Sequence, residues 1–195
     1  MESNCRIQII TKSNLVTRDD DLLVKVPSTV ALTITTEDDQ LASNLEPYAP
    51  LPSQRIRAVE DLVRVGIPVS VRIDPIIPLI NDQPQKLISI LTAIGVKHLT
   101  CSTYKAKPDN WMRLSKAFPA EMEQLKPLYF KHGERVGGSI LLPKDVRLKI
   151  LKQVRDLAEV NGLRFGVCRE GLPQLNNAPC DGSWLLGEPK NGGLG

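Results

Sequence analysis

Five short runs of apolar, β-branched-rich residues recur along the chain, and each is followed by a polar loop. The runs cover residues 5–10, 29–35, 67–73, 97–102 and 163–168. Runs of this length, bounded by polar residues or by Pro and Gly, are typical of buried strands. The stretches between them carry apolar residues at helical spacing. Strands that alternate with helices through short connections predict right-handed βαβ units, and therefore an α/β fold with a parallel sheet of about five βα units.

Four stretches have the apolar spacing and the end signals of amphipathic helices. They cover residues 17–25, 53–65, 83–94 and 142–162. Thr17 and Ser53 are the predicted N-caps, and Gly66 and Gly95 are the predicted stops.

The region 103–141 is less regular than the rest of the chain. It predicts a helical insertion with helices at about 109–118 and 120–131, followed by a break at Gly137-Gly138. The Gly-rich residues 187–195 predict a flexible tail.

Length and composition indicate an ordinary globular chain. Its 195 residues suit one domain, and 42% apolar with 24% charged residues argues against disorder. No stretch approaches the roughly 18 apolar residues of a membrane span, and the first residues lack the layout of a signal peptide. We therefore expect a soluble, cytoplasmic protein with no membrane association. The net charge of +3 permits an anionic ligand or nucleic acid without requiring either.

Cysteine and histidine usage argues against a metal centre held by this chain alone. The four cysteines stand at positions 5, 101, 168 and 180, with no C-x2-C or C-x3-C pair. The spacing is typical of small buried side chains, although Cys168 and Cys180 can meet as a pair in the C-terminal segment. The two histidines, His98 and His132, lie on different elements, which makes a catalytic triad or a His-rich metal site improbable. Phosphate-binding glycine motifs are also absent from the sequence.

The loops after the five predicted strands carry a high density of hydroxyl and charged side chains. They read Thr11-Lys12-Ser13, Thr35-Thr36-Glu37-Asp38, Asp74-Pro75, Ser102-Thr103-Tyr104-Lys105 and Arg169-Glu170. The loops before the strands are mainly turn-forming residues. In parallel α/β folds ligands bind at the carboxyl ends of the strands, so this asymmetry predicts a site for a small polar ligand. A metal-free acid–base enzyme that uses Asp74 and Glu37 stays open at this point.

Several motifs in fixed order resemble one known family. They are "IITKSNLVTRDDDLL" (9–23), "EPYAP" (46–50), "GIPV" (66–69), "PIIPLIND" (75–82) and, more weakly, "CDGSWLL" (180–186). This pattern is similar to that of radical S-adenosylmethionine (AdoMet) proteins of the spore-photoproduct-lyase-like, or DNA repair photolyase, group. One departure is Leu79, which stands where the family usually has Gly.

The resemblance implies an incomplete β/α barrel of the TIM type over residues 1–186, with this chain supplying the third barrel strand onward. It also implies which residues contact AdoMet: Lys12 and Ser13 at the carboxylate, Thr33 and Thr35 at the ribose or methionine part, and Asp74, Pro75 and Pro78 on the adenine side. The family's activity depends on a four-iron four-sulfur cluster held by C-x3-C-x2-C, and this sequence contains no such triplet. The expected function is therefore that of a truncated or split radical AdoMet domain that is inactive alone, with no catalytic residue assigned.

A barrel sheet that begins at its third strand leaves the strand at 5–10 as an open edge. We expect self-association, or a partner chain that carries the cluster, and the insertion at 103–141 is an alternative cover for the gap. The family's association with DNA makes nucleic acid a further partner, with weak support from the charge.

Two other functions stay open. One is a cluster-free barrel lyase in which a buried Lys12 is the reactive amine. The other is a non-catalytic interaction domain.

Overall fold

Five parallel strands form the main sheet of the computed structural model, which describes residues 5–187. The five strands of this sheet are β1 (Ile7–Thr11), β2 (Ser28–Thr33), β3 (Val69–Ile76), β4 (His98–Thr103) and β7 (Arg164–Val167). Two further strands, β5 (Glu134–Val136) and β6 (Ser139–Leu141), form a separate antiparallel hairpin. All five predicted strands are confirmed as members of the parallel sheet. The hairpin was not predicted, because its strands are only three residues long.

Seven α-helices lie in the described part of the chain. They are α1 (Asp20–Leu23), α2 (Asp39–Leu45), α3 (Pro52–Arg64), α4 (Gln85–Ile94), α5 (Pro108–Ala117), α6 (Pro119–Phe130) and α7 (Lys144–Val160), with 3₁₀ turns at Asn14–Asp19, Pro173–Leu175 and Ser183–Leu186. None of the helices in this range is long and apolar enough to cross a membrane. Of the predicted tail 187–195, all but Gly187 lies outside the described residues.

Two predicted helix starts are wrong, and one helix was missed. Ser13, not Thr17, begins the first helical segment: its hydroxyl accepts a bond from the Leu15 N–H and caps the 3₁₀ turn. Helix α3 begins one residue before Ser53, at Pro52, whose fixed φ suits the first helical position. Helix α2 is seven residues long, too short for a clear apolar period. The predicted stop at Gly95 is confirmed, with φ of +104°.

The strand order of the main sheet is sequential, β1-β2-β3-β4-β7. Because every crossover advances in the same direction and parallel crossovers are right-handed, the connecting helices lie on one face of the sheet. A doubly wound sheet would instead reverse its order and carry helices on both faces. Strands of a β/α barrel follow one another in this sequential manner.

The main hydrophobic core lies between this helical layer and one face of the sheet. Alternate strand residues such as Leu32, Val71 and Leu99 are fully buried there. Helices α3, α4 and α7 contribute apolar side chains to the same core, including Leu62, Leu87, Ile88 and Leu151. Burying apolar area of this kind stabilises the fold by roughly 25 cal/mol per Å², so this layer is the main source of stability.

The opposite face of the sheet is polar. Its side chains, set by the strand alternation and the register of Thr33 with Arg72 and of Arg72 with Thr100, are Thr29, Thr33, Ser70, Arg72, Asp74, His98, Thr100 and Ser102. Residues 179–187 cross this face from β7 towards β1. The Thr100 hydroxyl donates to the Cys180 carbonyl at 2.7 Å, and the Gln8 amide donates to the Asp181 carbonyl. The C-terminal segment thus covers part of a face that the helices leave open.

The insertion between β4 and α7 has a small core of its own. Tyr104, Trp111, Tyr129 and Phe130 form a chain of aromatic pairs with ring centroids 4.7 to 6.4 Å apart. A backbone bridge between Ala106 and Ile140 ties the hairpin to this cluster. Residues 103–141 were an alternative cover for the open sheet, but their aromatic side chains pack on one another. Residues 179–187 contact the polar face of the sheet instead.

The turn after β3 is held by one buried side chain. Asn81 accepts the Ile77 N–H at 2.7 Å and donates to the carbonyls of Thr35 at 2.8 Å and Pro75 at 3.0 Å. It therefore joins the ends of β2 and β3. Within this turn Leu79 has φ of +67°, a left-handed conformation in which glycine is favoured. The family's glycine at this position thus matches a backbone requirement that Leu79 meets under strain.

We predict that Leu79→Gly will be more stable than Leu79→Ala by up to about 1 kcal/mol in urea unfolding. A Cβ in the left-handed region costs about 1–2 kcal/mol, and the larger unfolded-state entropy of glycine offsets only part of it. The matched control is Ile80→Gly against Ile80→Ala, at a position without positive φ, where alanine should be the more stable variant. Equal stability of the two Leu79 variants would contradict the strain.

Candidate functional site

The carboxyl edge of the polar sheet face carries three groups of charged side chains. The first follows β1 and β2, the second lies on β3 and β4, and the third lies where β4 and β7 end. They contain Lys12, Glu46 and Arg55; then Arg72, Asp74 and Ser102; then Thr103, Lys105, Arg147 and Glu170. The sheet therefore brings together the polar loops that the sequence marked as a rim.

Glu46 joins Lys12 to a buried arginine. Its carboxylate is 2.5 Å from the Lys12 amine and 2.7 Å from the Arg55 guanidinium. Burial disfavours the charged form of Glu46, but the two cations outweigh it and hold the pKa of this carboxyl below its ordinary value. Arg55 also donates to the backbone carbonyl of Thr33 at 2.9 Å. The sequence did not single out Glu46 or Arg55 as site residues, although Glu46 is the first residue of the "EPYAP" motif.

This arrangement corrects the alternative in which Lys12 is a buried reactive amine. The Lys12 side chain is 46% exposed and its amine is paired with Glu46. A Schiff-base lysine is activated by desolvation or by a neighbouring cation, and Lys12 has neither an apolar pocket nor an unopposed positive neighbour. The amine remains able to attract an anionic group from solvent.

Asp74 is held on the polar face by two neighbours. The Arg72 guanidinium lies 2.7 Å from one carboxylate oxygen, and the Ser102 hydroxyl donates to the other. Burial would lower the pKa of Arg72, but its bond to the Asp74 carboxylate and the nearby sulfur of Cys168 outweigh that effect and raise it. Asp74 is partly exposed, so it can still accept hydrogen bonds from a ligand.

Thr35 supplies an unusual feature of this edge. It is 1% exposed, and its hydroxyl oxygen has no hydrogen-bond partner among the described residues. A buried hydroxyl without a partner costs roughly 1–3 kcal/mol, so such a group calls for an explanation. A polar ligand at the end of β2 would supply the missing bond. Thr33, also buried, lies two residues earlier on the same face.

The remaining predicted binding residues take different positions. The Ser13 hydroxyl is used as the cap of the 3₁₀ turn. Pro75 is partly exposed beside Asp74, whereas Pro78 is buried and lies in the turn held by Asn81. Pro78 can therefore shape the path of this turn but offers little surface to a ligand.

Glu170 is the centre of the third group and has a structural role. Its buried carboxylate accepts the Thr103 N–H at 2.8 Å and pairs with the Lys105 amine at 2.8 Å. Arg147 of α7 lies 3.4 Å away and also pairs with Glu134 at 2.6 Å. These contacts tie the end of β4 to the end of β7 and to the hairpin.

His98, the first residue of β4, holds the C-terminal segment against the sheet. The Trp184 indole N–H donates to His98 Nδ1 at 3.0 Å, which places the imidazole hydrogen on Nε2, facing the Thr100 hydroxyl at 3.2 Å. Burial lowers the pKa of His98 to about 4, with Arg72 adding to the effect and the Cys180 carbonyl and Asp181 opposing it. The histidine is therefore a buried neutral side chain that links the strand to the C-terminal segment.

No group of three or more metal-ligating side chains is found within residues 5–187. The sequence itself has no cysteine triplet. The side chains of residues 5–187 therefore do not form a ligand set that fits an iron–sulfur cluster.

Comparison with curated proteins finds uncharacterised relatives. A protein of Methanocaldococcus jannaschii is 39% identical over 83 residues, which is 42% of this chain and 32% of that protein. A protein of Acidianus two-tailed virus is 36% identical over 104 residues, 49% of this chain and 35% of that protein. A protein of Mycobacterium bovis is 25% identical over 138 residues, 65% of this chain and 41% of that protein. The chain thus matches about a third to two fifths of the length of these relatives. No family model matches it.

Comparison with solved structures finds spore photoproduct lyase. A cysteine-to-serine mutant of that enzyme has a TM-score of 0.63 at 16% identity, covering 84% of this chain and 51% of the lyase. A mutant with bound AdoMet and dinucleoside spore photoproduct has a TM-score of 0.59 at 16% identity, covering 83% and 50%. The likeness shows that this chain shares its α/β fold with about half of spore photoproduct lyase.

We predict that His98 makes folding stability depend on pH in a mildly acidic window. Its pKa of about 4 in the folded state lies below the ordinary value of 6.5, so the unfolded chain binds a proton that the folded chain does not. Stability should therefore fall by about 2 kcal/mol as the pH drops from 6.5 to about 5. Urea unfolding across this range measures the slope.

The matched variants for this test are His98→Gln and His132→Gln. His98→Gln should reduce the dependence of stability on pH. His132→Gln, at an exposed position, should leave it unchanged. An equal slope in wild type and His98→Gln would show that His98 is not the responsible group.

Proposed function

We propose that this chain forms the later part of a radical AdoMet barrel and supplies one wall of its AdoMet pocket. The observation that carries the proposal is the carboxyl edge of the one-sided sheet, where the unpartnered Thr35 hydroxyl, Asp74 and Lys12 stand on neighbouring strand ends. The motif pattern of residues 9–82 and the fold shared with spore photoproduct lyase support it. One structure of that lyase contains AdoMet.

The residues at this edge suit the chemical groups of AdoMet. The half-exposed Lys12 amine attracts the ligand's carboxylate while Glu46 orients it. The Thr35 hydroxyl and the free lone pairs of the Asp74 carboxylate meet the hydroxyl or amino groups of the ligand. When bound, AdoMet supplies a sulfonium cation for reductive cleavage. The role of this chain is to bind and orient that molecule, and Arg72 and Ser102 hold Asp74 in place for it.

Under this proposal the iron–sulfur cluster is held by residues outside the sequence described here. This sequence has four scattered cysteines and no C-x3-C-x2-C motif, and the described part of the chain contains no cluster of metal ligands. Under the proposal the chain alone binds AdoMet weakly and carries out no radical reaction. Catalysis requires the part of the protein or of its assembly that holds the cluster.

We also propose that strand β1 is covered by another strand when the protein acts. Strand β1 pairs with β2 on one side, and its residues Ile7 and Ile10 are 40% and 58% exposed. An apolar edge strand with unpaired backbone groups is a template for strand addition. A cluster-bearing chain meets this need in the active protein, and a second copy of this chain meets it in a pure sample.

The AdoMet proposal is tested by NMR titration of the isotope-labelled chain with millimolar AdoMet. Shifts should appear at the amides of the β1, β2 and β3 ends, around Lys12, Thr35 and Asp74. Lys12→Gln should weaken binding by about 5- to 10-fold, which is the loss of one exposed charge-assisted contact. The matched control is Lys97→Gln, an exposed lysine at the opposite edge of the sheet, which should bind as the wild type does.

Two outcomes of the titration contradict this function. Absence of shifts at the three strand ends removes the pocket from this chain. Equal responses to AdoMet and to adenosine, with no effect of Lys12→Gln, would remove the carboxylate role of Lys12.

Edge pairing predicts self-association of the purified chain. Sedimentation velocity should show a dimer that Ile10→Lys dissociates, because a charge on the edge opposes strand addition. Leu15→Lys, at an apolar residue of similar exposure outside the strand, is the control and should leave the dimer intact. A monomer at all concentrations would contradict self-pairing. Dimerisation without any AdoMet binding would favour the interaction-domain reading.

A further inference from the structure

The two C-terminal cysteines meet on the polar face of the sheet. Cys168 follows β7 and continues its ladder, since its N–H donates to the Cys101 carbonyl at 3.0 Å. It therefore shares a face with Gly166, two residues earlier. Cys180 lies on the same face: a Cβ built on Gly166 would stand 2.6 Å from the Cys180 Cα and 3.0 Å from its Cβ. Only glycine at position 166 allows the segment to approach the strand this closely.

One hydrogen bond fixes the position of Cys180: the Thr100 hydroxyl donates to its carbonyl at 2.7 Å. Cys168 lies close enough to Cys180 and to Arg72 to raise the pKa of each. Both cysteines are free thiols and partly exposed. The proposed function uses neither of them.

We propose that Cys168 and Cys180 are a redox-active dithiol that forms a reversible disulfide by exchange with a small-molecule disulfide such as oxidised glutathione. In the first step the Cys168 thiolate attacks one sulfur of that molecule; a mixed disulfide forms and one thiolate leaves. In the second step the Cys180 thiolate attacks the Cys168 sulfur and displaces the second thiolate. The two cysteines lose two electrons and two protons, and the small disulfide is reduced to two thiols.

The order of attack follows from the surroundings of each sulfur. Reactive cysteines lie in partly exposed positions near a cation. Cys168 is partly exposed and lies near the Arg72 guanidinium. Burial, together with Cys168 and Asp181, raises the pKa of Cys180. Cys180 is therefore the resolving residue, which acts once the mixed disulfide has been formed beside it.

The disulfide would fasten the C-terminal segment to the sheet. Residues 179–187 are otherwise attached to the polar face by hydrogen bonds, including those of Thr100 and His98. Oxidation also changes a sulfur that lies near Arg72, and Arg72 pairs with Asp74. Cys168 directly follows β7, at the carboxyl end of that strand. The dithiol chemistry itself does not depend on the proposed AdoMet site.

The test uses the full chain with Cys5→Ser, which removes the exposed cysteine and leaves three. The protein is equilibrated in glutathione buffers of increasing oxidation, then alkylated in denaturant and weighed by mass spectrometry. Cys168 and Cys180 should escape alkylation together, so that the oxidised protein carries one alkyl group, on the buried Cys101, and weighs two hydrogen atoms less than the same chain with two free thiols. Added dithiothreitol should restore both thiols. The oxidised protein should unfold at a higher temperature than the reduced one.

Single-cysteine variants identify the roles. Cys180→Ser should accumulate a glutathione adduct on Cys168, because no resolving thiol remains. Cys168→Ser should form its adduct several-fold more slowly, since burial and Asp181 raise the pKa of the remaining Cys180 thiol. Full alkylation of both cysteines in oxidised buffer, or adducts in place of the internal disulfide in the parent, would overturn the proposal. AdoMet binding is measured separately, so failure of either proposal leaves the other decided on its own evidence.

Discussion

The strict sequence of the strands is the constraint on which the rest of the structure depends. Because each right-handed crossover advances in one direction, all the long helices cover one face of the sheet and none covers the other. The uncovered face cannot be apolar, and it carries threonines, serines, His98, Arg72 and Asp74. These buried polar side chains need hydrogen-bond partners, which come either from the chain itself or from a bound molecule. Part of the answer is internal, since residues 179–187 lie across the face.

The polar groups at the carboxyl edge are satisfied to different degrees. Glu170 is fully engaged by Lys105, Arg147 and a backbone N–H, so it fastens strands together. Asp74 has two partners and keeps accessible lone pairs, and Thr35 has none in the described chain. The least satisfied of these groups therefore lie at the ends of β2 and β3, and the proposed ligand is placed there for that reason.

Several local features could be predicted from the sequence because they depend on residues that are close together along the chain. The five strands follow from short β-branched runs, and Gly95 ends α4 because a left-handed residue is needed there. Leu79 departs from the motif, which usually has Gly at this position, and its positive φ explains why Gly is preferred there. Helix starts were less readable. Thr17 and Ser53 are good caps by type, but Ser13 and Pro52 stand nearer the true starts, and the contacts of the preceding loop decide between them.

The sequence by itself determined the α/β class, the parallel strands and the polar edge, because periodicity and strand ends are local properties of the chain. Tertiary structure alone decided which residues meet. Glu46 is 34 residues from Lys12, Gly166 and Cys180 approach only because the last segment folds back across the sheet, and Trp184 reaches His98 from 86 residues away. Such pairings arise from the path of the backbone over the sheet. No periodic pattern encodes that path, since it is set by the packing of the whole chain.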